Sequence, residues 1–296
     1  MRVLIIGCGY VGLPLGKALV AKGHEVFGVR RSAEAQTELE AAGIKPLIAD
    51  ITQPETLAAL PGPFDWVINC VSSSKGGPDV YRQVYLEGTK NLLQWLTANP
   101  PKKYLYTSST SVYGQTDGMP VKESASTMPV NETSQILVQT ERLLLQAFQT
   151  SKFPAVILRV AGIYGPGRGH LFQQYLKDEA RIHGKGDRII NMIHLDDAVG
   201  VIQAACKGGH PGEIYNVVDD EPVSQLHFFR WLGEALGKDL PPHATEEENA
   251  ERKRGLTNKK VANRKLKMEL GYQFVHPTFR QGYTAEMLWM ERQGLL

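Results

Sequence analysis

Short apolar runs alternate with amphipathic stretches along most of this chain, and the alternation begins at once. Arg2 to Ile6 is an apolar run that ends in Gly7-Cys8-Gly9-Tyr10-Val11-Gly12. A helical pattern over residues 11–22 follows, then Gly23-His24 and a second apolar run from Glu25 to Val29. Further strands are predicted over residues 46–49, 66–70, 103–107, 155–159 and 214–217. Helices are predicted over 33–42, 80–99, 132–149, 195–206 and 224–236. Strands that alternate with helices specify a parallel sheet covered on both faces, an α/β, doubly wound architecture. No internal repeat or low-complexity linker interrupts it.

In such sheets ligands bind outside the carboxyl ends of the strands. The residues that matter most therefore follow the strands: Asp50, Val71-Ser72-Ser73, Ser108-Ser109-Thr110 and Val160-Ala161-Gly162. The glycine turn after the first strand has the strand–turn–helix context of a dinucleotide site. Gly7 permits the tight turn, Gly9 lets backbone approach a pyrophosphate, and Gly12 lets the helix pack close to the strand. The N–H groups of Tyr10, Val11 and the first helical turn would then face the phosphates. Where the second strand ends, a carboxylate would select NAD by accepting from the ribose 2′-hydroxyl. This chain has Arg30-Arg31 there, two cations suited to a 2′-phosphate. The expected cofactor is NADP, with NAD less favoured.

After about residue 165 the alternation loosens. Gly165-Pro166-Gly167-Arg168-Gly169 and Gly184-Lys185-Gly186-Asp187 break the chain, and Pro241-Pro242 and the charged segment 245–254 mark a further loop and helix. The expected organisation is a dinucleotide-binding Rossmann domain over residues 1–165 and a smaller substrate lobe over 166–296. Later strands and a helix near 188–218 would return to the first domain. Arg168, in a glycine-rich loop, is a candidate for binding an anionic group of the substrate.

Composition narrows the picture. At 296 residues and 42 % hydrophobic content, the chain can bury one large core or two coupled ones. A formal net charge of +2 gives no electrostatic case for a nucleic-acid partner. The basic stretch Lys259, Lys260, Arg264, Lys265, Lys267 is interrupted by apolar residues at roughly helical spacing and reads as a solvated helix face. No apolar run is long enough to span a membrane. The chain opens directly into a core strand, so no signal peptide is expected. Cys8, Cys70 and Cys206 lie far apart in apolar settings, as reduced core residues of a cytoplasmic protein do. The histidines show no metal-ligand spacing, and no metal is expected. The partner is a small molecule, and the protein a monomer or homodimer.

Three further segments carry a resemblance. Tyr106-Thr107-Ser108-Ser109-Thr110-Ser111-Val112-Tyr113-Gly114 looks like the "SS-x-x-VYG" segment of the extended short-chain dehydrogenase/reductases, the NAD(P)-dependent epimerase/dehydratase group. Leu158-Arg159, with Tyr164-Gly165-Pro166-Gly167, looks like that family's "LR…YGPG", and Ile193-His194-Leu195-Asp196-Asp197 is similar to its "IHVDD". The G-x-G-Y-x-G spacing of the turn resembles an atypical bacterial subgroup, the YeeZ-like proteins. The resemblance implies that Asp50 contacts the adenine and that Ser109 is the catalytic hydroxyl, able to hydrogen-bond a substrate carbonyl. It also implies a Tyr-x-x-x-Lys pair, with a Glu four residues beyond the Lys. Taking Glu141 as that Glu puts Leu137 at the lysine position and Thr133 at the tyrosine position. Neither can replace a phenolate of tuned pKa. Tyr113 is the first candidate for a substitute proton donor. The expected activity is that of an oxidoreductase or epimerase/dehydratase-type enzyme on a small polar substrate; the alternative is a catalytically silent NADP-binding protein.

Overall fold

The computed structural model describes residues 1–73, 76–250 and 257–296. Its frame is a seven-stranded, wholly parallel sheet built from β1 (Arg2–Ile6), β2 (Glu25–Arg30), β3 (Lys45–Ile48), β4 (Trp66–Asn69), β5 (Lys103–Ser109), β6 (Ala155–Val160) and β7 (Ile214–Val217). The strand order is β7-β6-β5-β4-β1-β2-β3. It reverses direction between β1 and β4, and a crevice opens above that point. Side chains alternate across each strand as the pleat requires. Leu4 and Ile6 enter one core with Phe27, Val29, Tyr104 and Tyr106. Val3 and Ile5 enter a second core on the opposite face, with Val26, Ile68 and Leu105.

Helices cover both faces. α1 (Gly12–Val20) and α3 (Leu195–Gly208) lie on one side, their residues Leu15, Leu19, Val201 and Ile202 packing against Val3 and Ile5. α2 (Glu132–Ser151) lies on the other, with Ile136 and Leu144 among its buried residues. The return of the chain to the sheet goes further than the near-188–218 segment. The helix Arg264–Leu270 also packs on α3 and β7, with Leu266 fully buried in the sheet's second core. A separate, aromatic-rich core forms the lobe, where Phe172, Tyr175, Phe228, Phe229, Phe279 and Tyr283 meet.

Several elements differ from the sequence pattern for identifiable reasons. The helix expected over 80–99 is three pieces: a turn at Pro78–Tyr81, a widened π-type turn at Arg82–Glu87 and a regular helix at Gly88–Thr97. The helix α4 (Phe279–Arg292) was not foreseen, although Thr278 and Gln281 form a reciprocal capping box at its start. The basic stretch is not one wet face. Lys259 is buried, with its Nζ donating to the Tyr113 carbonyl at 2.9 Å, and Lys260–Val261 is a short strand paired with Pro120–Val121. Of the charged segment 245–254, the helix Glu246–Ala250 is present and residues 251–254 lie outside the described ones. No helix among the described residues is long and apolar enough to cross a membrane.

Candidate active site

The crevice above the carboxyl ends of the strands is a cleft of about 820 Å³. It runs from Arg30, Arg31 and Ser32 past Gly7, Gly9, Tyr10 and Val11 to Val71, Ser72, Ser109 and Leu137, with Arg168 on its rim. Most residues singled out from the sequence are thus brought to one surface.

The glycine turn is shaped for an anion. Gly7 has φ +80°, and a Cβ there would lie 2.7 Å from the Val71 backbone nitrogen, so this glycine is demanded by the fold itself. A Cβ at Gly12 would lie 2.7 Å from the Gly7 carbonyl oxygen. Gly9 is different: a Cβ there would meet only the mobile end of Arg30, at 3.3 Å. α1 begins without a side-chain cap and without an acidic residue in its first turn. Leu13 donates to the Gly9 carbonyl at 2.8 Å and Pro14 has no N–H, so the groups left to face a ligand are the N–H groups of Tyr10, Val11 and Gly12. This is the arrangement that receives a phosphate, and the cradle fits a dinucleotide. Gly9→Val should accordingly weaken dinucleotide binding more than tenfold in a folded protein, whereas Gly7→Ala should lower the melting temperature. Unchanged binding by Gly9→Val, measured by cofactor fluorescence, would place the phosphates elsewhere.

Arg30 closes the far end of the turn. Its Nη1 donates to the Cys8 carbonyl at 2.8 Å, which ties the guanidinium over the glycines where a ribose-binding carboxylate would otherwise stand. Arg31 and Ser32 are exposed beside it. Asp50 does not line the cleft. Its Oδ1 accepts from the backbone N–H of Thr52 at 2.9 Å and from its hydroxyl at 2.8 Å, closing a local turn, and the neighbouring Ile51 faces the cleft instead.

At the other end, Ser109 lines the cleft and its Oγ accepts from the Ser111 N–H at 3.1 Å. That bond uses a lone pair and leaves the hydroxyl proton to donate. Leu137, from α2, faces the same space. Thr133 lies one turn earlier on the helix and is not among the residues lining the cleft. This part of the cleft wall is therefore apolar.

Tyr113 is a correction to the sequence reading. It is wholly buried, below the cleft rather than in it. The short turn Thr110–Val112 carries the chain down, and the Tyr113 hydroxyl donates to Asn216 Oδ1 at 2.7 Å while accepting from Arg159 Nη1 at 2.8 Å. Burial pushes the phenol above its ordinary pKa, and the adjoining Arg159 cation only partly offsets this. Glu141 belongs to the same buried network. Its carboxylate accepts from Arg159 Nη2 at 2.7 Å, from Arg159 Nε at 3.1 Å and from the Ser108 hydroxyl at 2.6 Å. Ser108 lines the cleft, so this network props up the floor next to Ser109.

Besides Tyr10, two phenols that carried no site expectation from the sequence reach the cleft, Tyr81 and Tyr85. They sit four residues apart across the widened turn, ring centroids 4.9 Å apart. Their signal was the apolar set Val80, Tyr81, Val84, Tyr85 at helical spacing, which also describes an ordinary core face. The Tyr85 hydroxyl accepts from the Ser73 N–H at 3.0 Å. Arg168 lies with its guanidinium 4.3 Å from the centre of the Tyr10 ring, and so stands close to the glycine turn. Burial pushes the Tyr10 phenol up to about 12.

A family profile described as NAD dependent epimerase/dehydratase matches residues 3–217. The chain belongs to this family. Among its relatives, Protein YeeZ of Escherichia coli (strain K12) is 27 % identical over 283 residues, spanning 93 % of this chain and 96 % of that protein. A solved structure from Methylobacillus flagellatus, assigned by its description to the NAD-dependent epimerase/dehydratases, is 32 % identical with a TM-score of 0.76, and the match covers 98 % of both chains. The dTDP-glucose 4,6-dehydratase DesIV of Streptomyces venezuelae, solved with NAD and TYD, has a TM-score of 0.84 over 99 % of this chain and 97 % of its own. Its identity is 20 %, so that likeness concerns the fold.

Proposed function

We propose that the chain is an NADP-dependent oxidoreductase of this family, acting on a small molecule without the usual tyrosine–lysine pair. The observation that carries the reading is Arg30, held by the Cys8 carbonyl at the edge of the glycine turn and lining the same cleft as Ser109. A 2′-phosphate beside Arg30 and Arg31 would gain charge-assisted hydrogen bonds. The pyrophosphate would lie on the N–H groups of Tyr10, Val11 and Gly12, with Arg168 as a further cation within the same cleft.

Hydride transfer is the chemistry that a cofactor held by these residues would supply. Ser109 donates a hydrogen bond from its hydroxyl to a substrate carbonyl oxygen and so steadies the negative charge that develops there. Val71 and Ser72 wall the adjoining space, and Leu137 excludes water from the side where the family's lysine would stand. Tyr81, partly exposed and facing the cleft, is the residue we put forward as proton donor in place of Tyr113.

Leu137 and Thr133 also favour a second reading, a silent NADP-binding protein. Both readings predict that NADPH binds at least tenfold more tightly than NADH. They part over turnover. Oxidation of NADPH with any member of a carbonyl panel, lost in Ser109→Ala, supports the enzyme; tight binding with no oxidation supports the silent protein. Equal affinity for the two cofactors would overturn the NADP assignment in both.

A further inference from the structure

We propose that His194, Asp196 and His276 form a zinc site that fastens the segment leading into α4 to the edge of the sheet layer. Two of the residues flank the start of α3, His194 as its N-cap at the end of the strand Met192–His194 and Asp196 in its first turn, and the third comes from a loop 80 positions beyond Asp196. His194 Nδ1 lies 3.5 Å from Asp196 Oδ2, and His276 Nε2 lies 3.4 Å from the same oxygen. All three ligand atoms fall within 4.8 Å of one another.

These separations discriminate between coordination geometries. Zinc at roughly 2.0–2.2 Å from imidazole nitrogen and carboxylate oxygen, in tetrahedral geometry, places neighbouring ligand atoms about 3.4 Å apart. Octahedral coordination at similar bond lengths would need about 3.0 Å. The two edges to Asp196 match the tetrahedral value, the third pair lies within 4.8 Å and would close slightly on an ion, and two imidazoles with a carboxylate suit zinc.

The surroundings hold the ligands in place. His194 is 5 % exposed, its ring 4.0 Å from that of His276 and packed edge-on against Tyr164. The neighbouring Asp197 carboxylate is fully buried and accepts from the backbone N–H groups of Val275 and His276 and from the Tyr272 hydroxyl, at 2.7–2.9 Å. It sets the His276 loop against α3 and adds negative charge beside the site. His194 Nδ1 now accepts a long bond, 3.2 Å, from the Asp196 N–H, and would give its lone pair to the metal instead. The Asp196 side chain is 63 % exposed, so the ion can enter from solvent and the fourth position stays open to water. Sequence spacing concealed this set because His276 is remote along the chain.

The test uses full-length, tag-free protein stripped with a chelator and titrated with zinc chloride by calorimetry. One equivalent of zinc should bind and raise the melting temperature, and cobalt(II) should give the intense visible bands of a tetrahedral site. Asp196→Asn and His276→Gln should each weaken zinc binding at least tenfold while circular dichroism stays unchanged. His227→Ala, on an exposed position of another helix, should bind zinc as the wild type does. Absence of saturable zinc binding, equal binding by the Asp196 and His276 variants, or an octahedral cobalt spectrum would each overturn the proposal.

Discussion

Arg159→Ala should destabilise the protein by about 3–5 kcal/mol, because it removes one partner of a buried ion pair and leaves the other charge behind. The Arg159 and Glu141 side chains are 5 % and 3 % exposed. Without the guanidinium, the Glu141 carboxylate would keep only the Ser108 hydroxyl, and the Tyr113 hydroxyl would lose its donor. The Glu123 carbonyl, which accepts from Arg159 Nη1 at 3.0 Å, would be orphaned as well. Replacing both charges, as Arg159→Met with Glu141→Leu, should recover much of the loss, since a buried pair exchanged for apolar packing is often close to neutral. Urea unfolding measures both variants. A loss below about 1 kcal/mol for Arg159→Ala would show that the network adds little to the cleft floor.

Ser109→Ala carries the largest expected effect on chemistry. Removing one donor aimed at a developing oxyanion costs about 10²–10³-fold in kcat. The serine also accepts from the Ser111 N–H, so a small loss of stability should accompany the change. The expected pattern is a fall in kcat of about a hundredfold or more, with little change in NADPH affinity, because the phosphate cradle lies at the other end of the cleft. Tyr81→Phe should lower kcat and alter its pH profile, whereas Tyr113→Phe should act mainly on stability. Full turnover in Ser109→Ala would remove that residue from the mechanism.

The inner strands of the sheet were legible because they are buried on both faces and read as apolar runs, as β1, β4 and β6 do, whereas the edge strand β3 is largely exposed. The helices fared less evenly. α1 and α2 carry a clear apolar stripe, but the widened turn at Arg82–Glu87 leaves no mark in a hydrophobic period. The lobe was poorly legible because its core is assembled from distant aromatic residues, with Phe279 and Tyr283 of α4 meeting Phe228 and Phe172. At the site, the first β-α-β unit brings Gly7, Gly9, Val11 and Arg30 to the cleft lining, because a local strand–turn–helix sets their positions. Tyr113 was not, since a residue just past a strand end can rise into the crevice or turn beneath it. Here Arg159 and Asn216, from β6 and β7, decide the matter through hydrogen bonds that no local pattern reveals. Leu137 was the informative exception. It lies on the buried stripe of α2 and faces the cleft as an apolar wall.

The proposed selection of NADP by Arg30 at the end of β2 is tested most directly by calorimetric titration of NADPH and NADH into the wild type and into Arg30→Asp. A charge-assisted hydrogen bond contributes about 1.5–3 kcal/mol, so the wild type should favour NADPH by at least tenfold, and the variant should lose that preference or invert it. An unchanged NADPH preference in Arg30→Asp, or none in the wild type, would contradict the account.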